Sequence, residues 1–471
     1  MKLKPYPEYK NTNLPWIDNL PRNWKLTRAK NLFKQIDIRS DTGEEELLSV
    51  SEKHGVTPRN NVNVTMFKAE SYKGYKLCWP RDLVINSLWA WMQGLGFSKY
   101  FGIVSTAYGV YRIKDKYIVS DKYLNYLFRA EAYRWELRVR SKGIWRSRYQ
   151  LTDDSFLTMP VIIPPKEEQE QIVKFLNYKN EQIAKFIRDK KRMIQLLKEQ
   201  KQAIINQAVT KGINPIVKMK PSGIEWIGDI PEHWETRRLR TIATVKLSGV
   251  DKHIKEEEIP VKLCNYVDVY NNDQIVSSIE FMKATATVSE IDNYKIKEGD
   301  VLITKDSEMW EDIAVPSFVP RELPGIICGY HLAIVRPLNI YGEFLFYTFC
   351  SNSISNQFKI SANGVTRYGL SQGAIKNAWF PLPPILEQRK IVIYIRQNIS
   401  KIDFVIRKTQ KEIKIIQEYR TRLISDVVTG KIDVRGIEVE DIPGEELTEE
   451  LETTEESEVP EENSQEVSNA S

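Results

Sequence analysis

Two stretches of the chain carry an apolar stripe at helical spacing over 33 residues each. In the first, Ile172, Leu176, Ile183, Ile187, Ile194, Leu197 and Ile204 recur. In the second, Ile391, Ile395, Ile402, Ile406, Ile413, Ile416 and Leu423 recur at matching offsets. No proline or glycine interrupts 166–209 or 385–428, so each predicts one long helix, about 66 Å for the first at 1.5 Å per residue. The start signals agree: Pro164-Pro165-Lys166-Glu167-Glu168-Gln169 and Pro383-Pro384-Ile385-Leu386-Glu387-Gln388. A proline at the first helical position gives up an N–H that has no intrahelical partner, and acidic residues suit the positive end of the helix dipole. Glycine soon after the last apolar residue is the stop. The apolar steps of 4, 7, 4, 7, 3 and 7 predict a nearly straight pair with weak supercoil. Stripes this long exceed what a small domain needs, so an antiparallel pair that buries both is expected.

Ahead of each helix lies a mixed segment with short β-like runs. Residues 82–86, 100–105 and 108–112 read as strands, and 300–304, 325–328 and 333–336 repeat them in the same order. Further upstream, Trp16-Ile17-Asp18-Asn19-Leu20-Pro21-Arg22-Asn23-Trp24 returns as Trp226-Ile227-Gly228-Asp229-Ile230-Pro231-Glu232-His233-Trp234, and both helices end in similar Val-Thr-Lys/Gly runs. One unit has been written twice.

Composition adds a partner. Of 471 residues, 42% are hydrophobic and 28% charged, an ordinary globular balance. The net charge of +5 conceals an asymmetry: residues 437–471 hold 14 acidic side chains and no Lys or Arg, leaving 68 basic against 49 acidic elsewhere, or +19. The tail also lacks aromatic residues and reads as disordered. The basic remainder suits a polyanion. Four widely spaced cysteines and four histidines frame neither a disulfide scaffold nor a metal site. No apolar run approaches a membrane span, and a cytoplasmic protein is expected.

A tryptophan-proline-tryptophan frame, a variable segment and a P-P-x-x-E-Q helix start, all repeated, resemble the DNA-specificity (S) subunit of type I restriction–modification enzymes over about residues 2–433. The resemblance implies an α+β fold in which two mixed target-recognition domains are separated by two long antiparallel helices, a coiled-coil spacer with a pseudo-two-fold duplication. The expected organisation is a first repeat with recognition domain 1 at 1–163, spacer helix 1 at 164–212, recognition domain 2 at 213–382, spacer helix 2 at 383–432 and the acidic tail at 437–471. It implies a subunit with no catalytic residues, reading one half of a split, asymmetric site with each domain. The implied partners are double-stranded DNA, two methyltransferase subunits in a 2:1 complex and, through them, restriction/translocase subunits. No cofactor is expected on this chain; S-adenosylmethionine, ATP and Mg²⁺ are implied for the partners.

Before each helix, 12 to 17 residues ahead of the double proline, stands a polar turn, Ser147-Arg148-Tyr149-Gln150-Leu151-Thr152 or Thr366-Arg367-Tyr368-Gly369-Leu370-Ser371. Arginine can grip a phosphate or fork onto guanine, and tyrosine can anchor against a sugar. Because the turns are shared, Arg148, Tyr149, Thr366, Arg367 and Tyr368, with Arg146 and Lys142 nearby, are assigned to phosphate positioning; the competing reading is a tie between domain and helix. Base readout must come from unshared positions: Arg81, Asn86, Ser105 and Tyr108 in the first domain, and Lys305, Asp306, Tyr330 and His331 in the second. Of the seven first-domain tryptophans (Trp16, Trp24, Trp79, Trp89, Trp91, Trp135, Trp145), most are expected in the core. No phosphate loop, dinucleotide turn or adenine-methyltransferase motif occurs, and Glu412-Ile413-Lys414 is half of a nuclease motif without its partner carboxylate. The alternatives are a tether or scaffold with nonspecific DNA binding and a self-sufficient nuclease or methyltransferase.

Overall fold

The computed structural model describes residues 3–59, 71–144, 149–364 and 366–440. Helices and strands are mixed throughout, an α+β architecture. The chain divides into two compact units, Met1–Lys191 with Gln410–Ser471, and Arg192–Thr409.

In the first unit a hairpin of Tyr9–Leu14 and Ile17–Pro21 leads into Trp24, which is fully buried. The central sheet uses β1 (Phe33–Gln35), β2 (Leu83–Ile85), β3 (Leu95–Phe97) and β4 (Gly109–Ile113), antiparallel in the order β1-β4-β2-β3. Helices Asp121–Phe128 and Glu131–Arg140 follow β4, and strand Pro160–Ile163 returns to pair with Lys25–Arg28.

The second unit has a hairpin of Met219–Pro221 and Asp229–Pro231 before buried Trp234. Its sheet uses β5 (Ala243–Leu247), β6 (Val301–Thr304), β7 (Pro316–Phe318) and β8 (Leu332–Pro337), antiparallel in the order β5-β8-β6-β7. Helices Gly342–Phe349 and Asn352–Ser361 follow β8, and Trp379–Leu382 pairs with Glu235–Arg238. Here a second sheet adds Ile259–Cys264 between Met282–Ala286 and Ile326–Cys328, the last pair parallel.

The echoed strand sequences have a physical origin. The aspartate before β2 and the arginine on β4 form a forked pair, Asp82 receiving Arg112 Nε and Nη2 at 2.7 and 2.8 Å. Asp300 receives Arg336 the same way, both at 2.8 Å. Both carboxylates are buried, where an unpaired charge is costly.

The helix starts are also structural. Helix α1 (Lys166–Lys211) and helix α2 (Ile385–Val428) begin with a glutamate and a glutamine that face inward. Glu168 accepts from the Trp24 indole at 2.9 Å, from Asn23 and from the Tyr6 hydroxyl. Burial, and then the bond to Glu168, push the Tyr6 phenol far above its usual range. Glu387 instead meets His233 at 2.7 Å. Gln169 accepts the Ser120 N–H and donates to Ile118 and Pro164 carbonyls; Gln388 accepts the Tyr341 N–H and donates to Pro383. Each glutamine therefore fixes the helix start to the loop after the central sheet. At the ends, Gly212 and Gly430 adopt left-handed φ of 75° and 76°, and a Cβ on Gly430 would stand 2.5 Å from Pro21.

Within each unit the start of one long helix packs beside the end of the other. Ile172 and Leu176 share a core with Leu423, Val427 and Val428. Ile205, Ala208 and Val209 share one with Ile391, Ile395 and Ile399. Leu197, Ile204, Ile406 and Ile416 are half-buried, and Ile205 replaces Ile204 as the buried residue. The seven-residue gaps in the predicted stripe are bridged by polar members. In the first unit buried or half-buried positions recur at Asn180, Ile183, Ile187 and Lys190 on α1 and at Ile413, Ile416, Arg420 and Leu423 on α2; in the second they recur at Ile194, Leu197 and Lys201 and at Ile399, Ile402, Ile406 and Thr409. Within each unit these positions step by three and four, a heptad spacing that polar members complete. Lys190 pairs with Glu412 at 2.8 Å in the first unit, which accounts for the glutamate of the half nuclease motif, and Lys201 with Asp403 at 3.2 Å in the second.

The chain after α2 returns to the N-terminus. Lys4 pairs with Asp433, Tyr9 donates to the Gly430 carbonyl, and Gln171 donates to Val434 and Ile437 carbonyls. Ile437 is buried and Val439 packs on the same core. Residues 437–440 thus belong to the first unit, contrary to their assignment to the acidic tail; 441–471 lie outside the described residues. The four cysteines are free, and burial raises the Cys78 thiol to about 11.

Candidate nucleic-acid interface

The shared pre-helix turn divides its six residues between two tasks. Leu151 and Leu370 are buried. Thr152 and Ser371 cap the short helices Asp153–Leu157 and Gln372–Asn377 by accepting N–H groups of Ser155 and Ala374. These positions are structural; the competing reading, a tie between domain and helix, concerned the arginine and tyrosine. The arginine and tyrosine positions remain. Thr366 and Arg367 are exposed, Tyr368 is half-buried, and Tyr149 is half-buried edge-on to Trp91 at 5.9 Å. Arg146 and Arg148 lie outside the described residues. Lys142 is exposed and bridges Gln150.

Each turn is hydrogen-bonded to the loop leaving the central strand. The Leu151 N–H donates to Ser87 and the Leu370 N–H to Lys305, at 2.9 and 2.8 Å. Asp306–Ser307 further pairs with Tyr368–Gly369. Four predicted residues of the second unit therefore meet at one strand end. Lys305 Nζ lies 4.4 Å from the Tyr330 ring centre and 3.2 Å from Asp306. His331 Nδ1 lies 3.1 Å from Asp306, and Tyr330 is exposed. Tyr266, stacked on Tyr270, shares a hydrogen bond with Ser307. Burial raises its phenol, and the hydrogen bond with Ser307 offsets only part of that rise. Cation, carboxylate, imidazole and phenol stand together, a set able to donate to and accept from base edges.

The first unit gathers fewer of its predicted residues. Asn86 and Tyr108 meet at 3.0 Å, and the Ser105 hydroxyl accepts the Ala107 N–H within the adjoining turn. Asn86 is 7% exposed, so it is packed within the unit instead of offered at its surface. Burial also raises the Tyr108 phenol. Arg81 stands at the opposite end of β2 with a φ of 74° and a forked bond to Asp121 at 2.9 and 3.0 Å. It lines a separate cleft of about 770 Å³ with Arg129, Arg134 and Arg420. Arg81 therefore falls apart from Asn86 and Tyr108, because a strand has two ends and the sequence does not say which one carries the turn.

The tryptophans depart most from expectation. Trp24 is fully buried, whereas Trp89 is 57% and Trp135 41% exposed; Trp16, Trp79 and Trp91 are half-buried, and Trp145 lies outside the described residues. Trp89 stacks on Trp91 at 6.2 Å. In the second unit Trp310 is 47% exposed with Lys359 at 5.8 Å from its ring. A signal existed in Leu88-Trp89-Ala90-Trp91, whose apolar residues follow no strand alternation. Among the described residues no helix is long and apolar enough to cross a membrane, and no cluster of His, Cys, Asp or Glu is arranged to hold a metal.

Comparison with known proteins agrees with the resemblance read from the repeats. A family model described as the type I restriction modification DNA specificity domain matches residues 231–415. The chain is 22% identical over 448 residues to the type I restriction enzyme MjaVIII specificity subunit of Methanocaldococcus jannaschii, covering 91% of this chain and 98% of that one. It is 24% identical over 207 residues to the putative MjaX specificity subunit of the same organism, covering 43% and 47%. Among solved structures, a chain from a study of complex assembly and conformational transition of the type I R-M system has the same fold, with a TM-score of 0.64 and 15% identity over 88% of this chain and 99% of that one. Over residues 231–415 the chain is thus similar to the type I restriction modification DNA specificity domain, and over most of its length to a type I restriction enzyme specificity subunit.

Proposed function

We propose that this chain reads a bipartite, asymmetric DNA sequence, one half-site per unit, and directs type I methyltransferase and restriction subunits to it. The observation that carries the reading is the placement of the shared turn. In both units a polar turn with an aromatic residue is hydrogen-bonded to the loop leaving the central strand, while the side chains around it differ. Equivalent frames dock alike; unlike side chains read unlike bases. Arg148, Tyr149, Arg367 and Tyr368, with Thr366 and Arg146, are assigned to the phosphates. Lys305, Asp306, Tyr330 and His331 are assigned to bases in the second half-site, and Ser105 and Tyr108 to the first.

The finer organisation belongs to this proposal. The matching strand orders, the two Asp–Arg forks and the two glutamine anchors support an internal duplication, with recognition domains within 1–163 and 213–382. The heptad seam supports a coiled-coil spacer formed by 164–212 and 383–432. The spacer would fix an unspecified gap between the half-sites and seat two methyltransferase subunits in a 2:1 complex, with restriction/translocase subunits joining through them in the cytoplasm. S-adenosylmethionine, ATP and Mg²⁺ would be held by those partners. The test is selection from a randomised duplex pool by the chain assembled with its methyltransferase. Two fixed blocks separated by a constant gap are expected. A pool that stays random would leave a scaffold that binds DNA without reading it.

A further inference from the structure

An indole left half in water forgoes the gain from burial, and large exposed aromatic groups mark contact surfaces. Both units keep one at the same place. In the second, the loop after β6 pairs with the pre-helix turn through Asp306–Ser307 and then exposes Met309 and Trp310, where the 3₁₀ helix Trp310–Asp312 begins. In the first, the loop after β2 exposes Leu88 and Trp89 directly ahead of the 3₁₀ helix Ala90–Met92. Trp89 lies on Trp91 with an interplanar angle of 14°, and Trp91 meets Tyr149 of the pre-helix turn.

The chemistry around these rings selects the partner. Lys359 stands over Trp310, the adjoining turn presents Arg367, and Lys142 is exposed beside Tyr149. Each ring stands on a loop that is hydrogen-bonded to the turn assigned to a phosphate, next to where a sugar or a base edge would lie. We propose that Trp89 and Trp310 are DNA-contacting wedges, one per half-site, whose indole faces pack on a sugar and the edge of a base step, as apolar side chains do where they partly unstack a duplex. This rests on the DNA-recognition reading and adds residues that the unshared-polar rule left out.

The experiment uses the full chain assembled with its methyltransferase, a duplex carrying the selected motif, and duplexes with one or both half-sites scrambled. Wild-type complex is measured first; equal binding to all duplexes would overturn the recognition reading itself, before any variant bears on the wedges. Given discrimination, Trp310→Ala is expected to weaken target binding at least tenfold while changing binding to the fully scrambled duplex less than twofold. Trp310→Phe should recover most of the loss. Trp89→Ala should act the same way, and a duplex with the first half-site scrambled should be insensitive to it. Because both side chains are exposed, the variants should keep the wild-type circular dichroism. Unchanged target affinity in both alanine variants would overturn the proposal. So would loss of methyltransferase assembly with normal DNA binding by the fraction that assembles, since the indoles would then face protein.

Discussion

Replacing Arg336 by alanine should destabilise the second unit far more than replacing its partner, and the asymmetry can be worked from the structure. The Asp300 side chain is 1% exposed and receives two bonds from Arg336 and one from the Lys297 N–H at 2.8 Å; the Arg336 side chain is 25% exposed. Arg336→Ala strands a buried carboxylate, which costs about 3–5 kcal/mol. Asp300→Asn keeps an acceptor for Lys297 and leaves a guanidinium that can reach water, so about 1–2 kcal/mol is expected. The double variant removes both charges and should be more stable than Arg336→Ala alone. With two units a single melting curve is not two-state, so the assay is hydrogen exchange read on β6 and β8. Protection there should fall by roughly two to three and a half decades in Arg336→Ala, at about 1.4 kcal/mol per decade. Protection of β2 and β4, joined by Asp82–Arg112, should not change. A double variant less protected than Arg336→Ala would refute the reasoning that an unpaired carboxylate sets the cost.

Three further outcomes are expected. Arg367→Ala should weaken binding to target and scrambled duplexes alike and reduce the salt slope by about one, as loss of a phosphate contact does; a changed preferred sequence would reassign Arg367 to base readout. Inserting one heptad into each long helix adds about 10 Å at 1.5 Å per residue, about three base pairs at 3.4 Å, so the selected gap should lengthen while both half-sites persist; unchanged spacing would contradict the spacer. Removing 441–471, with 12 acidic residues and no Lys or Arg, should raise affinity for scrambled DNA several-fold at low salt if the tail screens the basic body; equal affinity would dismiss that role.

Much of this was legible in the sequence because it rests on local signals that tertiary structure did not override. Pro165, Glu168 and Gly212 predicted the first helix, and the echoed aspartates and arginines sit where a buried fork needs them. The seam was misread because Asn180, Lys190, Lys201, Thr409 and Arg420 are polar; a stripe drawn from apolar residues steps over the positions where long side chains bury a stem and keep a charged head at the surface. The return of 429–439 to the N-terminus was hidden because the turn at Gly430 carries no record of a partner more than 400 residues away. The site was harder still. Asn86 is polar and beside a strand, as a base reader would be, yet it is packed against Tyr108. Trp89 and Trp310 are apolar and yet exposed. Residue type predicts burial on average, and an interface is made of the exceptions.

If two similar units read two different half-sites, the methylation they direct must carry both. The most direct measurement is a genome-wide map of methylated bases in cells that express this chain with its methyltransferase. One split motif is expected, two unlike blocks with a fixed unspecified gap, methylated wherever it occurs. Methylation with no sequence motif, from a complex shown to be assembled, would contradict it.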